Sequence, residues 1–225
     1  MYHAVDWGGI VVSASTRRAD EEDAAAQPGR DTRTRILEAA AEVLRSRGYG
    51  GTRMAEIAEL AELQAATIYY YFPNREDMIE SVIREGEALI IARAKEALAA
   101  LPDSVSPLDK ICTAATAHLD AVLSISSFSA ASTRNFSHLP QEMQDRLMVQ
   151  RREYGRLWKQ LFDEALESGA IGGAIDWHVA YQLLMGSLNS AAEWWTPERT
   201  PKSELLETTV RLIRRAFQPP FRSAG

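Results

Sequence analysis

Apolar residues recur every three or four positions along most of the chain beyond residue 30, which is the spacing of one face of an α-helix. Two of these segments are short and flank a break at Glu62-Leu63-Gln64, so they predict a pair of helices joined by a tight turn. Alanine-rich amphipathic runs dominate the rest, which makes the predicted fold class all-α. The remaining predicted helices cover about 32–47, 75–100, 107–124, 128–136, 141–168, 177–195 and 201–217.

Residues suited to helix ends support these bounds. Four predicted helices are preceded by a side chain that can accept a hydrogen bond from a free backbone amide, and these predicted N-caps are Thr52, Asn74, Ser106 and Asp176. Pro107 strengthens the start after Ser106, because its fixed φ suits the first helical position. Gly48 follows the first predicted helix, where a left-handed residue commonly ends a helix.

The short pair has the dimensions of a helix-turn-helix, with two helices of about eight residues around a three-residue turn. In that motif the second helix is the recognition helix and enters the major groove of DNA. We therefore predict that residues 51–79 form a DNA-binding unit.

The residues of this unit and their spacing also carry a family resemblance. The residues are G-T-x-x-x-x-I-A-x-x-A, then T-I-Y-x-x-F-x-N-R-E-x-M-I, within about Arg33–Ile83. This string resembles the N-terminal signature of the tetracycline-repressor (TetR) family. The resemblance implies a homodimeric transcriptional repressor that binds palindromic double-stranded operator DNA and is released by a small-molecule effector. One position departs, since the family usually has Gly-Val-Ser where this chain has Glu62-Leu63-Gln64; a left-handed Glu62 would cost roughly 1–2 kcal/mol.

Matching the family motif position by position implies a set of DNA contacts. Base-edge or backbone contacts fall on Gln64, Ala65, Ala66, Thr67, Tyr69, Tyr70 and Tyr71, and phosphate contacts on Thr52, Arg53 and Arg75. A glutamine can bind adenine through N6 and N7, and alanine and threonine methyl groups can contact the thymine methyl group. Phe72 is predicted to belong to the core, and for Tyr69 both a core role and a DNA-binding role are open.

The charge balance limits how DNA could be bound. The chain has 225 residues and a formal net charge of −6, so bulk positive charge cannot provide the affinity. The segment 30–53 is locally basic, since Arg30, Arg33, Arg35, Arg45, Arg47 and Arg53 face only Asp31, Glu38 and Glu42. This local excess of three positive charges is where we expect phosphate contacts.

Other kinds of chemistry have little support. The histidines, His3, His118, His138 and His178, lack ligand spacing, and no catalytic or phosphate-loop motif occurs, so we expect no enzyme activity, catalytic residue, cofactor or metal. Cys112 is the single cysteine, which fits a reducing cytoplasm, and we predict a buried thiol. The brief apolar patch near residue 10 is too short for a membrane span or signal peptide, so we expect no membrane partner.

Three regions follow from this pattern. Residues 1–30 are charged and lack a sustained period, so they are predicted to be a disordered extension, with a basic arm as the alternative. Residues 31–80 form the predicted three-helix DNA-binding domain, and residues 81–218 the predicted helical bundle for effector binding and dimerisation. The helix over 75–100 would begin beside the DNA and end in the bundle, so we expect it to link the two.

Large adaptable side chains are frequent in the predicted bundle, where methionine and aromatic residues can line an apolar cavity between helices. For any one residue, plain core packing is the alternative. Two arginines one helical turn apart suit the phosphates of an anionic ligand, with a solvated arginine face as their alternative. The predicted effector-binding residues are Phe128, Arg152, Arg156, Trp158, Phe162, Tyr181 and Met185.

A narrower resemblance concerns the effector. The stretch RREYGRLWKQLFDEALESGAI, followed by LLMGSLNSAAEWW-x-P, is similar to a subset of TetR regulators that control lipid or steroid catabolism and respond to acyl-CoA thioesters. This resemblance implies that the effector is apolar and possesses an acyl-CoA group.

Small and apolar residues near the C-terminus predict the dimer interface, with burial inside one subunit as the alternative. The predicted interface residues are Gly186, Ser190, Leu205, Leu206, Ile213 and Phe217. For the whole chain, the sequence favours a homodimeric repressor. The alternative is a helical ligand-binding or scaffold protein that no longer binds DNA.

Overall fold

The computed structural model describes residues 28–172 and 176–217, and this part of the chain contains helices without any strand. The all-α prediction is therefore confirmed. The helices are α1 Pro28–Gly51, α2 Met54–Leu60, α3 Ala65–Tyr71, α4 Arg75–Ala99, α5 Pro107–Ser124, α6 Ser126–Asn135, α7 Gln141–Glu167, α8 Trp177–Trp194 and α9 Lys202–Phe217, with a short 3-10 turn at Phe136–His138.

Helix ends follow the expected chemistry in three of four places. The side chains of Asn74, Ser106 and Asp176 each accept a hydrogen bond from a backbone amide of the helix that follows. The prediction for Thr52 is wrong, because Arg53 is the N-cap of α2 and its side chain makes no capping bond. Thr52 is instead buried, and its hydroxyl donates to the Gly48 carbonyl over 2.8 Å.

Helix α1 is longer than predicted at both ends. It begins at Pro28, inside the predicted extension, and the remainder of that extension lies outside the described residues. It also continues through a kink at Gly48, where φ is 70°, as far as Gly51. Asn135, at the end of α6, holds the chain here, because its Oδ1 accepts from the Tyr49 amide over 2.7 Å and its Nδ2 donates to the Leu44 carbonyl over 3.2 Å.

The first core joins the two predicted domains rather than lying within one. It is built mainly by α1 to α4, and helices α6 and α7 complete it. Its members include Ile36, Leu44, Ile57, Ile68, Phe72, Met78, Ile83, Ala131, Leu139, Met143 and Leu147. The predicted boundary at residue 80 is thus crossed by one continuous apolar cluster.

The second core lies between α4, α5, α7, α8 and α9. Its buried members include Ala94, Ile111, Cys112, Leu119, Tyr154, Trp158, Phe162, Met185, Leu188, Ile213 and Phe217. The thiol of Cys112 is buried here as predicted, and burial raises its pKa to about 11.

Helix α4 contributes to both cores and is tied to α7 by two ion pairs. Glu80, which is buried, accepts from Arg146 over 2.6 Å and is also paired with Arg84. Two turns further along α4, Glu87 is paired with Arg151. Side-chain hydrogen bonding to Arg146 lowers the pKa of Glu80, so this carboxylate stays charged in its buried position.

No single helix in the described part of the chain is long and apolar enough to span a membrane. The segments Pro107–Ser124 and Ser126–His138, which are bent by 98° relative to each other, meet the length and composition test only as a pair.

Candidate functional site

The turn between α2 and α3 keeps its geometry although it lacks the usual glycine. Glu62 takes the left-handed conformation with a φ of 54°. Its amide donates to the Glu59 carbonyl over 3.1 Å, and the Leu63 amide donates to the Ala58 carbonyl over 2.9 Å. These two bonds form a Schellman motif, in which the left-handed residue is normally glycine. Leu63 packs against the first core and so fixes the turn. Glu62 is therefore held in a left-handed conformation that is strained for a residue with a Cβ atom.

Helix α3 presents one face to the first core and the other to solvent. Ile68 and Phe72 are buried, which confirms the core role of Phe72. Gln64, Ala65 and Ala66 are exposed at its N-terminal end, while Thr67 and Tyr71 are half-buried. Tyr70 is 83% exposed and Tyr69 is 52% exposed, so both hydroxyl groups are available to a partner. A phenol ring that was simply core would be covered, and Tyr69 is not.

The three predicted phosphate contacts occupy different environments. Arg53 is exposed and has no ion-pair partner among the described residues. Thr52 is only 2% exposed, which leaves its backbone rather than its hydroxyl group for a contact. Arg75 donates to the Tyr49 carbonyl over 2.6 Å and lies 4.5 Å from the centre of the Tyr49 ring. It therefore fixes the chain after the kink of α1 against the start of α4.

Most of the basic side chains on α1 are already paired. Arg33 forms a bidentate pair with Glu85, and Arg45 and Arg47 pair with Glu42 and Glu56. Arg35 donates to the Ala61 carbonyl over 2.7 Å. The positive charge of segment 30–53 is thus largely neutralised within the subunit. DNA binding would therefore depend more on contacts made by the recognition helix and by Arg53.

A cavity of about 930 Å³ lies between α4, α6, α7 and α8, a volume typical of a small-molecule site. Its wall includes Gly86, Glu87, Ile90, His118, Phe128, Ser129, Ser132, Phe136, Met148, Arg151, Arg152, Tyr154, Arg156, Lys159, Trp177, Tyr181, Met185 and Asn189. Five of the seven predicted effector-binding residues are in this wall, namely Phe128, Arg152, Arg156, Tyr181 and Met185. Trp158 and Phe162 are fully buried in the second core, outside the wall, so we assign them to packing.

The rim of the cavity is cationic and aromatic. Arg152 and Arg156 are exposed, and neither has an ion-pair partner among the residues that the structure describes. Lys159 lies 5.5 Å from the centre of the Trp177 ring, and Trp177 stacks on His178 with ring centres 4.0 Å apart. Unpaired guanidinium groups and an aromatic ring in the same cavity wall suit a ligand that carries phosphates and a planar base.

The inner wall contains a buried polar network. His118 is buried, and burial lowers its pKa to about 4, so the ring is neutral at pH 7. Its Nε2 lies 3.0 Å from Asn189 Oδ1, and its Nδ1 lies 3.1 Å from the Tyr154 hydroxyl. Because Asn189 Oδ1 can only accept, Nε2 carries the proton and the Tyr154 hydroxyl donates to Nδ1.

Sequence reasoning missed several wall residues. Glu87, Ser129 and Asn189 belong to no motif, and they meet only because α4, α6 and α8 pack together. Trp177 begins a helix and offered a weak signal, but its pairing with Lys159 depends on how α7 and α8 pack.

The predicted dimer residues separate into two groups. Ile213 and Phe217 are buried in the second core, so the alternative of burial within one subunit applies to them. Gly186 is exposed, and Ser190, Leu205 and Leu206 are half-buried. The exposed face of α8 also carries Val179, Leu183 and Trp194, which the prediction omitted, and α9 exposes Leu212. We call the exposed face formed by Val179, Leu183, Gly186, Ser190 and Trp194 the outer α8 face.

No cluster of three or more His, Cys, Asp or Glu side chains within residues 28–172 and 176–217 is arranged to hold a metal. The described residues therefore contain two candidate sites, the exposed face of α3 and the cavity with its cationic rim.

These features define a helix-turn-helix transcriptional regulator with its own ligand-binding domain. Residues 36–82 match the family described as bacterial regulatory proteins of the tetR family, and residues 104–217 match the tetracyclin repressor-like C-terminal domain. The chain belongs to the TetR family of transcriptional regulators.

Individual relatives are more distant. The fatty acid metabolism regulator protein of Bacillus subtilis is 22% identical over 160 residues, which cover 71% of this chain and 81% of the relative. The ketosteroid transcriptional regulator KstR2 of Mycobacterium tuberculosis has a similar structure, with a TM-score of 0.73 and 16% identity over 83% of this chain and 94% of the other. AibR, solved in complex with isovaleryl coenzyme A and operator DNA, gives a TM-score of 0.71 and 21% identity over 84% and 100% of the two chains.

Proposed function

We propose that this protein is a homodimeric TetR-type repressor that binds palindromic operator DNA and is released by an acyl-CoA thioester. It acts as a regulator, without enzyme activity or a cofactor, and it works in the cytoplasm, where its DNA is. DNA binding is assigned to residues 31–80, and effector binding and dimerisation to residues 81–218, although one apolar core spans the boundary.

The observation that supports an acyl-CoA effector most strongly is that two arginines of α7 at the cavity rim have no ion-pair partner in the described part of the chain, while other arginines of this helix do. Arg152 and Arg156 stand unpaired at the rim, whereas Arg146 and Arg151 of the same helix are bound by Glu80 and Glu87. These two unpaired guanidinium groups suit the phosphates of coenzyme A, and Trp177 in the same wall suits its adenine ring. Behind them, Phe128, Met185 and their neighbours provide an apolar wall for an acyl group.

The relatives support the same class. AibR was solved with isovaleryl coenzyme A and operator DNA, and the Bacillus subtilis relative is named for fatty acid metabolism. A cavity of about 930 Å³ is large enough for the acyl and pantetheine parts of such a ligand.

For DNA binding, we assign the base contacts to the exposed N-terminal end and tyrosines of α3. The contacting residues are Gln64, Ala65, Ala66, Thr67, Tyr69, Tyr70 and Tyr71, with Arg53 and the Thr52 backbone on phosphates. Arg75 positions α4 rather than binding phosphate alone, because its guanidinium group is held by Tyr49. For the dimer, we assign the outer α8 face, since an apolar helix face of this size is costly to leave in water.

Release follows from the position of α4 and α6. Both helices form part of the cavity wall, and both also contribute to the first core that supports the recognition helix. A ligand that separates α4 from α6 therefore changes the spacing of the two recognition helices in the dimer. Ligand and DNA then oppose each other with the same coupling free energy, whichever binds first.

The test uses calorimetry and an operator shift assay on the full chain. Operator DNA is first obtained by selection from a random pool, and we expect an enriched palindrome. Acyl-CoA thioesters should bind and release this DNA, whereas the Arg152→Ala/Arg156→Ala variant should bind them at least tenfold more weakly. Arg93→Ala removes an exposed arginine outside the cavity wall and is the matched control. Absence of binding by every thioester, in a protein that binds its operator, would refute the effector class.

The paired arginines of α1 favour one other candidate, a ligand-binding protein that no longer binds DNA. Under this candidate, selection from a random pool would enrich no sequence, while thioester binding would be unchanged. The same two experiments therefore separate the two functions.

A further inference from the structure

Two polar atoms in the cavity wall have no hydrogen-bond partner among the described residues. They are Oε2 of Glu87 and Oγ of Ser129. Ser129 is only 5% exposed, and the side chain of Glu87 is 13% exposed, so solvent does not freely reach either group. Buried polar atoms in folded proteins are almost always bonded. Of the three buried side-chain atoms left unpaired among the described residues, the third is Trp158 Nε1 in the second core, whereas these two belong to one cavity wall, where a ligand can supply the partner.

The surroundings hold Glu87 in place and leave one oxygen unused. Its Oε1 accepts from the Ser132 hydroxyl over 2.8 Å and from Arg151 Nε over 3.0 Å. The guanidinium group of Arg151 lies 3.6 Å from the centre of the Phe136 ring, which further fixes this corner. The carboxylate is therefore oriented, and Oε2 keeps its capacity to accept.

Ser129 belongs to the same part of the wall. It lies one helical turn before Ser132 on α6, and residues three apart share a helix face. Ser132 is bonded to Glu87, so both orphaned atoms lie along the contact between α4 and α6. The geometry thus places a pure acceptor and a hydroxyl group on one polar strip of an otherwise largely apolar cavity.

Asn189 in the same cavity wall adds a donor. Since Asn189 Oδ1 accepts a hydrogen bond from His118 Nε2, the Nδ2 group of Asn189 is oriented by that bond and can donate to a ligand. The interior accordingly contains an acceptor at Glu87, a hydroxyl group at Ser129 and a donor at Asn189.

A saturated alkyl chain would meet none of these groups. Methylene groups placed against the carboxylate oxygen and the hydroxyl group would leave both without a hydrogen bond, which disfavours binding of such a chain. A carbonyl group could accept from Ser129 or Asn189, but it could not serve Glu87. A hydroxyl group can both donate and accept, so it is the simplest ligand group that suits the whole strip.

We propose that the acyl part of the effector carries a hydroxyl group that binds Glu87 Oε2 and Ser129 Oγ. The effector class is thus a hydroxylated acyl thioester rather than a saturated alkanoyl thioester. This inference rests on the proposed function, and it adds Glu87 and Ser129 as the residues that determine specificity within that class.

The experiment compares matched ligands by calorimetry on the full chain. The probes are decanoyl-CoA, its monohydroxylated analogues with the hydroxyl group at each position from carbon 3 to carbon 10, and the corresponding free acids. We expect at least one hydroxylated thioester to bind tenfold or more tightly than decanoyl-CoA. Ser129→Ala should reduce this preference at least fivefold, because it removes the hydroxyl group that the hydroxylated thioester would bind. Ser126→Ala is the control, because Ser126 lies on the same helix, is exposed and is outside the cavity wall.

The outcomes separate the inference from the proposed function. Equal or tighter binding of decanoyl-CoA, or a hydroxyl preference that Ser129→Ala leaves intact, would overturn the hydroxyl site and keep the thioester class. Binding of hydroxylated free acids without any thioester would overturn the thioester class and keep the hydroxyl site. If no probe binds, both are overturned. Loss of affinity for all ligands alike in Ser129→Ala would mean a merely structural role.

Discussion

The first core and the cavity treat buried polar groups in opposite ways. In the first core, Thr52, Glu80 and Asn135 are buried, and each makes well-formed bonds to the backbone or to arginine. In the cavity wall, Glu87 and Ser129 are mostly buried, and each keeps an unpaired atom. A buried network in which every polar group is hydrogen-bonded favours one arrangement of its side chains. An unpaired buried group is unfavourable, and a ligand that bonds to it lowers the free energy of the complex. The difference indicates that the part supporting the recognition helix is complete without a ligand, and the cavity is not.

Removing Asn135 should break the first core most severely. Asn135→Ala leaves the Tyr49 amide and the Leu44 carbonyl without their buried partner, which we expect to cost about 3–4 kcal/mol of unfolding free energy. Urea unfolding measures the loss, and operator affinity should fall with it. The neighbouring Arg134→Ala removes only an exposed ion pair with Glu193, so it should change stability by less than about 1 kcal/mol. Equal effects of the two variants would contradict the assigned role.

The polar network of the second region should respond to pH. The pKa of His118 is about 4 in the folded protein, against 6.5 for an unperturbed histidine, so the unfolded chain binds more protons between these values. Stability should therefore decrease as the pH falls from 6.5 toward 4, by about 2–3 kcal/mol at pH 4.5.

The measurement is urea unfolding of the wild type and His118→Gln at pH 7.5 and pH 4.5. The difference between the two proteins should shrink or reverse at the lower pH. His178→Gln changes an exposed histidine of the same cavity and serves as the control. A pH-independent difference would show that the pKa of His118 is the same in the folded and the unfolded state.

The contact between α4 and α6 tests whether the cavity controls the first core. A Cβ atom on Gly86 would lie 2.9 Å from Cβ of Phe128, so Gly86→Ala should separate the two helices without a ligand. We expect a loss of operator affinity of about tenfold, or about 1.4 kcal/mol, in a shift assay.

In the double variant Gly86→Ala/Phe128→Gly, the glycine lies on α6 instead of α4, so the two helices can again approach closely. This variant should regain most of the operator affinity. Gly155→Ala is the control within the same cavity, because its nearest new contact is the Tyr181 hydroxyl at 3.9 Å. If Gly86→Ala is as neutral as Gly155→Ala, the signal does not pass through this contact.

The smallest expected effect concerns the turn. Glu62→Gly removes the left-handed strain and should stabilise the protein by about 1 kcal/mol, since part of the gain is offset by the greater freedom of glycine in the unfolded chain. Glu62→Ala keeps a Cβ atom and should give no such gain. Thermal unfolding of both variants distinguishes the two causes. If Glu62→Ala also raised the unfolding temperature, the gain would come from removing the Glu62 charge and not from relieving backbone strain.

The DNA-binding unit could be predicted in detail because its signals are local. The turn at Glu62, the cap at Asn74 and the burial of Phe72 each depend on residues within a few positions. The cap at Thr52 failed because the kink at Gly48 draws its hydroxyl group back to α1. That kink depends on Asn135, which lies 86 residues from Tyr49 in sequence.

The cavity was predictable only in kind. Aromatic and methionine residues indicated a site between helices, but periodicity alone gave Trp158 and Phe162 the same weight as Tyr181. Which side of α7 faces the cavity depends on helix rotation against α5 and α8, and no short-range signal records it. The pairing of Arg151 and the freedom of Arg152 differ for the same reason, because only the former faces Glu87.

The way that α6 closes the first core bears on how such regulators can be recombined. The segment before residue 84 lacks Asn135 and the apolar groups Ala131, Leu139, Met143 and Leu147, all of which complete its interior. If this segment alone were joined to the ligand-binding half of a relative, its interior would be incompletely filled. The chimera would also have to include α6 and the start of α7 from this protein. The DNA-binding part of this protein is thus built from two separate segments of the chain. A chimera with a crossover inside α4 should fold only if its ligand-binding half contains an equivalent of Asn135.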